Sequence, residues 1–167
     1  EACRQLRAWQ DAGLATVPVS VNISAAEFRH HDFLEGVARI LAETGLEPRW
    51  LELELTESSI MHDRAVAVEK LQAFRRLGVF LAIDDFGTGY SALEYLKHFQ
   101  VDMLKIDRSF VQAAHLDRED EAIVRAIVTL AHSLNMRVTA EGVETADQHG
   151  FMQVCECDET QGYLFGH

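Results

Sequence analysis

The chain has 167 residues, 48% of them hydrophobic, and a formal net charge of −12. That length supports one core of ordinary size and that apolar content excludes a disordered segment; the acid excess argues against binding duplex DNA or RNA, which calls for basic patches that release counterions. No apolar run approaches the roughly 20 residues that span a bilayer, and Cys3, Cys155 and Cys157, lacking zinc spacing, read as reduced thiols in a cytoplasmic compartment.

The chain opens on a helical pattern, Glu1–Ala12, with Gly13 as its stop signal. Strand patterns follow at Val17–Ser24, Trp50–Thr56, Val79–Asp84, Val101–Asp107 and Arg137–Glu141, with a weaker one near Gly162–Phe165. Between them the 3.6-residue period predicts helices over Ala25–Thr44, Arg64–Leu77, Ser91–His98, Asp120–Leu134 and Ala146–Val154. Strands alternating with helices make βα units and a parallel sheet. His30-His31 reads as solvated helix surface rather than a ligand pair.

Each strand alternates an apolar phase with a polar one. Leu51, Leu53 and Leu55 oppose Glu52, Glu54 and Thr56; Leu104 and Ile106 oppose Lys105 and Asp107; Val138 and Ala140 oppose Thr139 and Glu141. Strands covered by helices on both faces read as nearly continuous apolar runs instead. The alternation therefore points to a TIM-like (β/α) barrel that is polar near its strand ends, where such barrels carry their chemistry.

Those ends hold Asn22, Glu54, Asp84, Asp85, Lys105 and Glu141, with Gln161 beside the last strand. Asp84 and Asp85 close an apolar strand side by side, and adjacent carboxylates raise one another's pKa unless a cation neutralises them. Gly87 and Gly89 then allow the chain to turn sharply. An oxygen-rich set with no Cys or His suits Mg²⁺ or Mn²⁺. Residue types alone reach metal-assisted phosphoester hydrolysis, with Lys105 positioning or deprotonating a water.

The successive motifs Val-Asn22-Ile-Ser, Leu-Glu52-Leu-Glu54-Leu-Thr-Glu57-Ser, Asp84-Asp85-Phe-Gly-Thr-Gly-Tyr-Ser, Lys105-Ile-Asp107, Ala-Glu141-Gly-Val-Glu144-Thr and Gln161-Gly-Tyr-Leu-Phe resemble, in order, those of the EAL domain. The resemblance implies an EAL-type barrel, here incomplete with about six strands, and metal-dependent hydrolysis of cyclic di-GMP to linear pGpG in bacterial signalling. It implies that Asn22, Glu54 and Asp84 hold one ion, with Asp84 bridging to a second held also by Asp85 and Glu141. Lys105 and Gln161 then address the attacking water. Glu57 and Glu144 anchor the loop of Gly87, Thr88, Gly89 and Tyr90, and Asp107 orients Lys105 or touches substrate. The family's Glu-Ala-Leu triplet supplies a further metal-ligating glutamate. It falls before the start of this sequence, so residues 1–167 are expected to be an EAL domain lacking its N-terminal portion and extreme C-terminus. The other reading is a catalytically impaired EAL module that binds cyclic di-GMP or a protein partner as a regulator. A homodimer, a membrane anchor in the parent and sensory or diguanylate-cyclase-like modules beside the domain are left open.

Overall fold

A computed structural model describes residues 1–61, 63–87, 93–114 and 117–166. Helices α1 (Ala2–Asp11), α2 (Ala25–Arg29), α3 (Phe33–Thr44), α4 (Glu57–Met61), α5 (Arg64–Leu77), α6 (Leu93–Phe99), α7 (Arg108–Ala113), α8 (Arg118–Ser133) and α9 (Ala146–Val154) intersperse with strands β1 (Val19–Ile23), β2 (Leu51–Thr56), β3 (Phe80–Phe86), β4 (Met103–Ile106), β5 (Arg137–Ala140) and β6 (Glu159–Thr160). The strands make one six-stranded sheet in the order β1-β2-β3-β4-β5-β6. β1 pairs with β2, β4 with β5 and β5 with β6, all parallel. The chain forms two compact units, Glu1–Ala82 with His98–Val101, and Ile83–Lys97 with Asp102–His167.

In the first unit α1 packs on β1 and α3, and α3 on α5. The buried stripe of α5, Ala67, Leu71 and Phe74, has the spacing of one helical face. Leu71 and Phe74 are wholly buried, which stabilises by about 1.5–3 kcal/mol for each side chain. Gly45 and Gly78 end α3 and α5 at φ 64° and 92°. In the second unit α8 turns Val124, Ile127, Val128 and Ala131 inward and packs on α7, β4 and β5. Asp117 caps α8 by accepting the Glu119 amide at 2.8 Å.

The helix expected over Ala25–Thr44 divides at His30–Asp32. Ser24 and Glu27 form a capping box that starts α2, and Lys70 Nζ ends it by donating to the carbonyls of Phe28 at 2.7 Å and His30 at 2.9 Å. α4 and α7 are short helices that the periodicity misses, since five or six residues carry too little period to register. The last strand is also displaced. Glu159–Thr160 pairs with β5, whereas Tyr163, Leu164 and Phe165 lie beyond it in a turn and are exposed.

Candidate functional site

β3 delivers Asp84 and Asp85 at its end. Asp84 Oδ1 accepts the Asp85 amide at 3.0 Å, and Asp85 stands at φ 54°, a left-handed conformation that aspartate tolerates better than most residues. Gly87 follows at φ 100°, where a Cβ would lie 2.8 Å from the Phe110 ring. Thr88, Gly89 and Tyr90, the rest of the expected loop, lie outside the described residues.

β4 presents Lys105, buried at 5% exposure. Its ammonium lies 2.5 Å from Glu141 Oε1 and 3.8 Å from Asp84 Oδ1. The parallel register sets Lys105 opposite Thr139 and Ile106 opposite Ala140. Glu141, one residue past β5, is tied by its amide to the Ile106 carbonyl at 3.1 Å. Asp84, Asp85 and Glu141 can each offer one carboxylate oxygen, all within 4.8 Å of one another. Burial raises the Asp85 pKa, the charges of Asp84 and Asp107 raise it further, and Lys105 opposes them. Three carboxylates around one ammonium leave a net negative centre of hard oxygen donors, a set that could hold a divalent cation.

Gln161 sits in a turn built on its main chain. Its amide donates to the Ala140 carbonyl at 2.9 Å, and its carbonyl accepts the Val143 amide at 3.0 Å. Gly162 makes this possible, because a Cβ there would overlap the Val143 backbone. Asp107 caps α7, accepting from the Ser109 amide at 3.0 Å and the Ser109 hydroxyl at 2.5 Å. Glu144 pairs with Arg108 at 2.8 Å. Arg108, which directly follows the Lys105-Ile-Asp107 motif, has no role in the sequence reading.

In the first unit Asn22 is exposed and is the register partner of Glu54, which is buried at 7%. Glu57 opens α4 and is buried at 4%. A second group that could hold a metal among the described residues is His30, His31 and Asp32, all exposed. There His30 Nδ1 already accepts the Asp32 amide at 3.3 Å and His31 pairs with the Asp32 carboxylate at 3.1 Å.

A family model described as the EAL domain matches residues 1–167. The chain belongs to the EAL family. It is 45% identical, over 99% of its length, to the bifunctional diguanylate cyclase/cyclic di-GMP phosphodiesterase MucR of Pseudomonas aeruginosa, of which it spans 24%. It is 38% identical over 99% of its length to the cyclic di-GMP phosphodiesterase PdeR of Escherichia coli, spanning 25% of it. The chain thus covers about a quarter of these curated relatives. Among solved structures it is similar to the PaMucR phosphodiesterase in its c-di-GMP complex, with a TM-score of 0.94 and 44% identity over 99% of this chain and 67% of that one. The EAL domain of Mycobacterium smegmatis DcpA superposes with a TM-score of 0.93 at 38% identity, covering 99% of this chain and 75% of that one. The TIM-like barrel read from the strand alternation and the EAL type implied by the motifs therefore hold, with six strands among the described residues.

Proposed function

We propose that this EAL domain hydrolyses cyclic di-GMP to linear pGpG, adding one water across a phosphodiester, with Mg²⁺ or Mn²⁺ as its cofactor. The observation that carries this reading is the convergence of Asp84, Asp85 and Glu141 within 4.8 Å, with Lys105 paired to two of them. Asp84, Asp85 and Glu141 would hold a divalent cation. Bound there, it supplies positive charge and Lewis acidity at a phosphodiester that an acidic protein would otherwise repel. Lys105 and Glu141 are the proton-handling pair: their nitrogen and oxygen lie 2.5 Å apart, and a water meeting the pair is oriented by it. Gln161 would orient the same water.

The roles that the family resemblance gives Asn22, Glu54, Glu57, Asp107, Glu144 and the Gly87–Tyr90 loop are part of this proposal, each open to its own substitution. A second ion, a cytoplasmic location, and diguanylate-cyclase-like or sensory modules in the parent belong to it as well. Among the described residues no helix is long and apolar enough to cross a membrane.

The test is conversion of cyclic di-GMP to pGpG by the parent protein in Mn²⁺ or Mg²⁺, followed by chromatography, with Asp84→Asn and Lys105→Ala as controls. Turnover that is lost in chelator and in both variants supports the reading. Nucleotide binding with no turnover in any divalent metal refutes hydrolysis.

A further inference from the structure

We propose that Arg108 is a positioning residue, clamping the Glu141–Thr145 turn so that Glu141 stays against Lys105. Three contacts argue for this, all within the second unit. The Arg108 guanidinium meets Glu144 Oε1 at 2.8 Å. The Gln112 amide, oriented with its oxygen toward that guanidinium, accepts from Nε at 2.6 Å and from Nη2 at 2.8 Å. The alkyl stem of Arg108 occupies the space in front of Gly142, where a Cβ would come within 2.8 Å of the arginine's Cβ and 2.9 Å of its Cδ.

The turn is held at its two ends by other groups. The Glu141 amide bonds to the Ile106 carbonyl at 3.1 Å. At the far end the amides of Glu144 and Thr145 both donate to Gln148 Oε1, at 2.7 and 3.0 Å, as α9 begins. Between these ends the Val143 amide donates to the Gln161 carbonyl at 3.0 Å and the Val143 carbonyl accepts from the Leu164 amide at 3.1 Å, while Gly142 takes φ 70°, a conformation that glycine adopts without cost and that adds no stiffness on its side of the turn. Arg108 stiffens the Gly142 side through a packed stem, which lysine reproduces in part, and a planar fork, which lysine lacks. Its fork is engaged by Glu144 and Gln112, so its geometry is that of a strut. Displacing a reacting or ligating group by about 1 Å costs up to a hundredfold in rate, and residues that orient metal ligands typically change metal affinity by about 10–100-fold.

This inference rests on the proposed metal-dependent function, and its test separates the two. In the parent protein, Arg108→Gln, Arg108→Lys, Glu144→Gln and the Arg108→Gln/Glu144→Gln pair are compared for two readouts. One is the Mn²⁺ concentration that half-maximally raises the melting temperature, which needs no turnover; the other is kcat and KM for cyclic di-GMP. Arg108→Gln is expected to raise the Mn²⁺ midpoint about tenfold and to lower kcat with KM unchanged. Glu144→Gln should do the same, the pair should be no worse than either single variant, and Arg108→Lys should recover part of the loss. A raised KM at an unchanged Mn²⁺ midpoint would make Arg108 a substrate clamp and overturn the proposal. Wild-type behaviour in all four variants would also overturn it, reducing the contact to a surface ion pair worth little. A parent protein that binds Mn²⁺ without hydrolysing the nucleotide refutes the proposed function alone, because the Mn²⁺ midpoint still reads the role of Arg108. A parent protein whose melting temperature ignores Mn²⁺ overturns both.

Discussion

Replacing Lys105 by methionine removes a buried cation while keeping most of its stem. Lys105 is 5% exposed and faces Glu141 at 2.5 Å and Asp84 at 3.8 Å. Breaking a buried ion pair by deleting one partner costs about 3–5 kcal/mol, since the other charge is left uncompensated. Here the carboxylates keep 21% and 15% of their side-chain surface in contact with solvent, so partial rehydration puts the expected loss near the lower end, about 3 kcal/mol. For a domain of this size about 2–4 °C of melting temperature accompanies each kcal/mol, giving a drop of roughly 6–12 °C in metal-free buffer. A divalent cation then replaces the missing positive charge, so saturating Mn²⁺ should raise the melting temperature more in Lys105→Met than in wild type, while hydrolysis stays lost. The assay is differential scanning calorimetry with chelator and with Mn²⁺. A metal-free melting temperature within about 2 °C of wild type would show that Lys105 compensates no buried charge.

Asp85→Asn should do the reverse in metal-free buffer: it removes a charge that Asp84 and Asp107 oppose and keeps a residue type tolerant of φ 54°. Thermal melts should show a gain on the order of 1 kcal/mol without metal and a smaller Mn²⁺ response. Asp158 accepts from His132 Nε2 at 2.9 Å and from the Val138 amide at 2.8 Å. Burial pushes its carboxyl up, but these bonds with the charges of His132 and Arg137 pull it further down, below its ordinary value. Because the folded pKa is depressed, its stabilisation is complete above the unfolded value near about 4 and is lost as pH falls through the folded one. Urea titrations should therefore find Asp158→Asn weaker by about 1 kcal/mol at pH 7 with a flatter acid limb; an unchanged limb would remove Asp158 from the account. Gly162→Ala should cost roughly 1–3 kcal/mol by forcing the Val143 backbone aside. Gly150→Ala in α9, where a Cβ meets nothing within 4 Å, should be stabilising by about 0.5–1 kcal/mol, and equal effects in chemical denaturation would contradict the close approach at Gly162.

Local patterns in the chain record period, capping and chemistry. The alternation Leu51-Glu52-Leu53-Glu54-Leu55 specifies a strand and its two faces, which puts Glu54 on the polar face, while the structure sets it opposite Asn22. Ser24 with Glu27 specifies a helix start, as does Thr145 with Gln148. Asp84-Asp85 after an apolar run marks an anionic strand end, and the ordered motifs identify the family before any coordinate is known. Which of these groups meet is another matter, because contact depends on the register between strands and on the helices packed over them. Tertiary structure alone sets Lys105 Nζ at Glu141 and turns Glu144 to Arg108. It also places the final strand at Glu159–Thr160, since β5 offers its pairing edge there while Tyr163-Leu164-Phe165, apolar enough to read as a strand, lies in a turn beyond it. The left-handed Asp85 is permitted by its residue type, but that the chain takes that conformation is seen only where β3 ends, with the Asp84 carboxylate accepting the Asp85 amide.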